Sequence, residues 1–193
     1  DRWVGIPLCF FASFWPLKKA QADSNSTLAT NIPPPDTIVF ILIAEIGALV
    51  VAYPAIKETR KQHPKSRICF ITAPAGLQTL ELMGFEKEDI FLLETSSIKS
   101  LLKGIVNIRS HFKGGRVSAI VLEPFTRFST LLSAWIGASK RIGCYRFLNE
   151  GVYLGNILTH RLVYNPHLHM SQTYFALAKA LIEPDSAKPL LKE

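Results

Sequence analysis

Four short runs, TIVFILI (37–43), RICFIT (67–72), DIFLLE (89–94) and VSAIVLE (117–123), are apolar at almost every position. A one-sided strand alternates, so a continuous run of this length suits a strand buried on both faces. Between them stand segments with helical spacing, 47–62, 74–83, 96–112 and 126–136. In the first of these Leu49, Ala52, Tyr53 and Ile56 share a face, and Pro54 is expected to bend the helix. A fifth short strand is expected at KRIGC (140–144), then LVY (162–164) and a closing helix over 169–182. Strand and helix alternating with short connections predict an α/β domain. Its form is a Rossmann-like, doubly wound parallel sheet with right-handed crossovers. Ligands of such sheets bind beyond the carboxyl ends of the strands. Chain order puts three segments there: 44–47, 123–127 and a turn after Gly143.

The chain can fill such a fold. Of its 193 residues 48% are hydrophobic and 19% charged, enough for a sizeable core. The formal charge of +7 admits nucleic acid, an anionic membrane surface or a phosphorylated ligand as partner. The cations are scattered, mostly at the ends of expected helices where they suit the dipole, and no aromatic-interleaved basic stripe appears. No nucleic-acid partner is therefore expected. Cys9, Cys69 and Cys144 are dispersed and form no C-x-x-C pair, which suits a reducing compartment and not a disulfide scaffold or zinc site.

Outside the alternating region the composition changes. Residues 1–19 are largely apolar, with Trp3 and Trp15 near the ends of the run and Lys18 and Lys19 after it. The run is shorter than a bilayer span and holds Pro7 and Pro16, so it reads as an interfacial membrane anchor. Two alternatives stand beside that: a hydrophobic flap on the main domain, or a signal peptide cut near Ala20-Gln21-Ala22. Against the signal peptide, the basic residues follow the apolar run where they should precede it. Residues 20–36 form a polar linker ending in three prolines, 37–182 the Rossmann-like domain, and 183–193 the start of a further linker.

The loops at the expected mouth carry few chemical groups. The first has neither a G-x-G-x-x-G nor a phosphate-loop pattern, only Gly47, which argues against a dinucleotide-dependent oxidoreductase. Its single acid, Glu45, either caps the following helix or pairs with a nearby Arg, or serves as a general base at the strand's end. In EPFTRFS (123–129), Thr126 can cap a helix whose first turn holds Arg127, an unfavourable place for a cation unless it meets an anion. That anion is either Glu123, in an ion pair, or a ligand. His167 and His169 lack a third metal ligand at suitable spacing, so a capping or substrate-contacting role at the helix start fits them better than metal.

Taken in order, IGALVVAYPAIKETRKQHPKSRICFIT, GASKRIGCYR and LTHRLVYNPHLHMSQTYFALAKAL give the chain a resemblance to a known family. Over about residues 37–182 it resembles the N-terminal half of family 9 glycosyltransferases, the ADP-heptose–lipopolysaccharide heptosyltransferase family. The resemblance implies the acceptor-side half of a two-domain GT-B enzyme. Such an enzyme transfers sugar with inversion to a membrane-associated glycolipid at the cytoplasmic face of the membrane. It needs no metal or other cofactor, and the nucleotide-sugar donor is held by a second domain. Without that domain the chain alone is expected to be inactive. Family members commonly place an Asp directly after the loop glycine as base. Here that position is Ala48, and Glu45 is the acid nearest to it. The resemblance thus assigns Glu45 as base, with Gly47, Ala48, Glu123, Arg127 and His160 as candidate acceptor contacts. A non-catalytic Rossmann-like binding domain is the alternative.

Overall fold

A computed structural model describes residues 2–14, 34–147 and 154–183. Residues 15–19, most of the 20–36 linker and residues 184–193 lie outside that set. Within it, six strands form one parallel sheet: β1 (Thr37–Ile41), β2 (Arg67–Thr72), β3 (Ile90–Leu92), β4 (Val117–Val121), β5 (Lys140–Phe147) and β6 (His160–Tyr164). Their order across the sheet is β3-β2-β1-β4-β5-β6, and every neighbouring pair runs parallel. The chain builds outward from β1 to β3, then crosses back to lay β4 on the free side of β1. The order therefore reverses between β1 and β4.

The apolar runs explain why both sheet faces are covered. Alternate residues of a strand point to opposite faces. Ile38, Phe40 and Leu42 join one core with α2 (Ile46–Gln62), α3 (Leu77–Leu82) and α6 (Met170–Lys179). Val39 and Ile41 join a second core with α4 (Ile98–His111) and α5 (Arg127–Trp135). Burying apolar side chains on both sides at about 25 cal/mol per Å² is what holds the three layers together. At the amino edge Asp36 takes up Arg116 at 3.1 Å, and that guanidinium holds the Asp36 carboxyl below its usual range.

Three expectations shift. The strand expected over 89–94 is reduced to Ile90–Leu92, because Lys87–Asp89 form a 3-10 turn. No turn follows Gly143: β5 continues to Phe147, with an irregularity between Cys144 and Arg146 that keeps it paired to β6. The third expected mouth segment is thus strand interior. The amino-terminal run is helical, α1 (Arg2–Phe14), and packs on α5. Cys9 is buried there, and Ser13 Oγ donates to Cys9 O at 2.7 Å while accepting from Asn156 N at 3.0 Å. A Cβ on Gly155 would meet that Ser13 oxygen at 1.9 Å, so only glycine lets the two segments close. The flap reading describes this seat, although Leu8 and Phe11 still face solvent. Among the described residues no helix is long and apolar enough to cross a membrane.

Candidate functional site

The reversal between β1 and β4 sends the chains that leave them to opposite faces of the sheet, the place where parallel sheets open a ligand crevice. Glu123, immediately beyond β4, reaches across that gap. Its Oε1 accepts from the amide of Ile43 at 2.8 Å and from that of Ala44 at 2.7 Å. Its other oxygen accepts from the Ser129 hydroxyl in a short hydrogen bond. Residues 43 and 44 have passed the end of β1, so their amides need a partner outside the sheet ladder. Glu123 supplies it with a charge-assisted acceptor. It is a buried clamp on the first loop, and each of its oxygens already takes a hydrogen bond from the protein.

Glu45 follows the clamped residues directly. It occupies the position before α2 in extended conformation (φ −124°, ψ 100°), yet its side chain makes no capping bond and the residue is exposed. The capping role is therefore not how this carboxylate is used. Gly47 is also exposed, and a Cβ built there meets nothing within 4 Å. Neither packing nor a left-handed φ calls for glycine at this point, although glycine in a helix costs about 1 kcal/mol relative to alanine. Its effect is open space beside Glu45. Ala48, at the position where the resemblance expects Asp, is half-buried and packs on the core under α2.

The rest of the mouth comes from the other strand ends. Phe125 has φ 60° and is the one non-glycine residue in the positive region among those described. That conformation costs of order 1–3 kcal/mol for a bulky side chain and marks a loop fixed by its surroundings. It sets the Phe125 ring edge-on to Tyr164 at 5.6 Å. Thr126 stands at the cap position of α5, but its hydroxyl points to Pro124 O at 3.4 Å and caps nothing. Behind them lies Tyr174 of α6, buried, its phenol pushed up to about 12. Burial is the main cause, and the charges of Glu45, Cys144, Tyr164 and Glu123 add to it. Two carboxylates and two tyrosines therefore share one electrostatic neighbourhood at this end of the sheet.

The remaining candidates, Arg127 and His160, are enclosed. Arg127 is buried at the first turn of α5, and its charge draws down the Cys9 thiol, which burial otherwise pushes up. It lies under α1. His160 opens β6 and pairs with Ile142 of β5, which pairs with Ile120 of β4, itself beside Phe40 of β1. It is fully buried, with Nδ1 at 2.9 Å from Thr159 Oγ1 and Nε2 at 3.0 Å from Glu183 O. Beside it Lys140 Nζ donates to Leu181 O and Glu183 O, each at 2.6 Å. His160 thus ties down the segment after α6, with both ring nitrogens engaged. His169 does cap α6, its Nδ1 accepting from Ser171 N at 3.3 Å. No cluster of three or more metal-ligating side chains occurs among the described residues. A groove of about 560 Å³ between β3 and α4 involves Arg67, Lys87 and His111, towards the amino edge and away from the mouth. Sequence reasoning missed Ser129, Phe125 and Tyr174. The first is one serine on an ordinary helix turn, and the other two look like core aromatics.

No family model matches the sequence, and comparison with curated proteins gives no significant match. Solved structures do share the fold. A glycosyl transferase of family 9 from Veillonella parvula aligns with a TM-score of 0.57 at 17% identity, over 79% of this chain and 43% of its own. Heptosyltransferase WaaC of E. coli, bound to ADP-2-deoxy-2-fluoro heptose, aligns with a TM-score of 0.60 at 10% identity, over 79% of this chain and 50% of its own. The same enzyme with ADP gives 0.57 at 9% identity. The chain spans about half the length of these proteins.

Proposed function

We propose that this chain is the acceptor-side lobe of an inverting glycosyltransferase of the family 9 kind. On this reading Glu45 takes the proton of an acceptor hydroxyl as its oxygen attacks the anomeric carbon of a nucleotide sugar. The C–O bond to the nucleoside diphosphate breaks on the opposite face, and the diphosphate leaves with the bonding pair. A second lobe, of the kind that fills the other half of the matched structures, holds the donor, an ADP-sugar by analogy with the WaaC ligand. Gly47 gives the acceptor access to the backbone beside the base, and Glu123 holds the loop that carries it. The acceptor is a membrane-held glycolipid at the cytoplasmic face, in keeping with the net charge of +7.

The observation that carries this reading is one exposed, uncapped carboxylate at the switch point of a sheet shared with heptosyltransferase structures. A carboxylate that neither caps its helix nor pairs is available for proton transfer, a role worth about 10²–10⁴ in rate. The test is sugar transfer by the natural polypeptide carrying residues 1–193, with wild type compared with Glu45→Gln. A fall of kcat by about that factor at unchanged KM supports the base. Wild-type kcat in the variant removes it. One observation favours a second reading: with Ala48 where the family carries Asp, the domain could bind a glycolipid without transferring to it. Tight acceptor binding with no turnover in the same polypeptide would select that alternative.

A further inference from the structure

The helical layer on the second sheet face sets exposed apolar side chains beside exposed cations. The sequences of α1, α4 and α5 contain no Asp or Glu. The three are contiguous. Arg109 of α4 donates to Trp135 O at 2.9 Å and lies over the Trp135 ring at 4.9 Å, and α1 packs on α5. Along α4, Ile98, Leu102 and Val106 follow one another at four-residue spacing, and they are 77%, 57% and 61% exposed. Lys99 and Lys103 are exposed on the same helix, and Phe11 of α1 is 69% exposed at the other end of the layer. Apolar residues on an i, i+4, i+8 line normally face a core. Here that line faces outward while Ile108 of the same helix serves the core.

We propose that this layer docks on an anionic lipid surface. Apolar side chains would enter the interface between headgroups and acyl chains, and the lysines would meet lipid phosphates, the pattern of an in-plane amphipathic helix. The charge distribution selects this occupant. A second copy seated on the same face would bring Lys99, Lys103 and Arg109 against their own like charges. A bilayer carrying negative headgroups has no such conflict, and α4 itself carries no carboxylate to repel them. The proposal stands apart from the transfer chemistry, since it involves neither Glu45 nor the mouth.

The test is co-sedimentation of the full chain with phosphatidylglycerol–phosphatidylcholine vesicles and with phosphatidylcholine alone. Binding to the anionic vesicles is expected to be at least about tenfold tighter and to weaken with salt, since each cation near the surface contributes about 1 kcal/mol. The double variant Leu102→Glu, Val106→Glu should lower that binding at least about tenfold with its circular dichroism unchanged. Leu82→Glu alters a residue of α3 that is 90% exposed on the opposite layer, so it should bind as wild type does. Absence of binding to the anionic vesicles overturns the proposal, as does equal loss in the Leu82 variant. Concentration-dependent dimers broken by the Leu102/Val106 change, without vesicle binding, would assign the face to a second copy and overturn it too. The readout is binding and not turnover, so its outcome is independent of whether Glu45 is a base.

Discussion

Removing the Glu123 clamp should cost stability and loosen the loop that presents Glu45. In Glu123→Ala the amides of Ile43 and Ala44 and the Ser129 hydroxyl all lose their acceptor. A hydrogen bond to a charged group contributes about 1.5–3 kcal/mol net. Ala44 is exposed and Ile43 half-buried, so water replaces part of that loss, whereas Ser129 is fully enclosed. The balance is about 3 kcal/mol, or a Tm lower by roughly 6–12 °C for a domain of this size. Glu123→Gln keeps one oxygen for the two amides and can donate to Ser129 Oγ, so it should lose only the charge assistance, about 1 kcal/mol. Urea unfolding measures both changes, and amide hydrogen exchange locates them. Exchange at Ile43 and Ala44 should accelerate in the Ala variant and change little in the Gln variant. An Ala variant within about 0.5 kcal/mol of wild type, the range of ordinary surface substitutions, would refute the clamp. So would unchanged protection at those two amides.

Two further outcomes follow from buried titratable groups. Burial and the nearby Lys140 charge lower the pKa of His63, whose Nε2 is enclosed without a hydrogen-bond partner. The unfolded chain then binds a proton more readily than the folded one. Stability should be level above the unfolded value of 6.5, fall from there down to the lowered folded pKa and level off below it, and fall less in His63→Gln; equal slopes would refute this. All three cysteines are buried, and the Cys69 thiol is pushed up to about 12 by burial above all. A disulfide dye should label none of them in native protein at pH 8 and all three in denaturant, and rapid native labelling of Cys9 would count against the packing of α1 on α5.

The sheet was legible in the sequence because burial on both faces imposes a visible signature, the unbroken apolar runs at 37–43 and 117–123. Chain order then placed Glu45 and Glu123 at the carboxyl edge without coordinates. What each carboxylate does there was not legible. Glu123 and Glu45 look alike in sequence, and only the position of two backbone amides 79 and 80 residues away separates the enclosed clamp from the exposed acid. The setting of His160 was not legible either: a histidine before LVY (162–164) gives no sign that its ring nitrogens meet Thr159 Oγ1 and Glu183 O. The seat of α1 was hidden as well, since it depends on Ser13 meeting Gly155 across more than a hundred residues.

In a fully parallel sheet the strand axes run in the plane of the covering helices, and all carboxyl ends leave by one side. With α1, α4 and α5 lying flat on a bilayer, as proposed above, that side opens along the lipid surface and not towards it. A glycan rooted in the leaflet would then come in edgewise, at headgroup height, without its lipid having to leave the membrane.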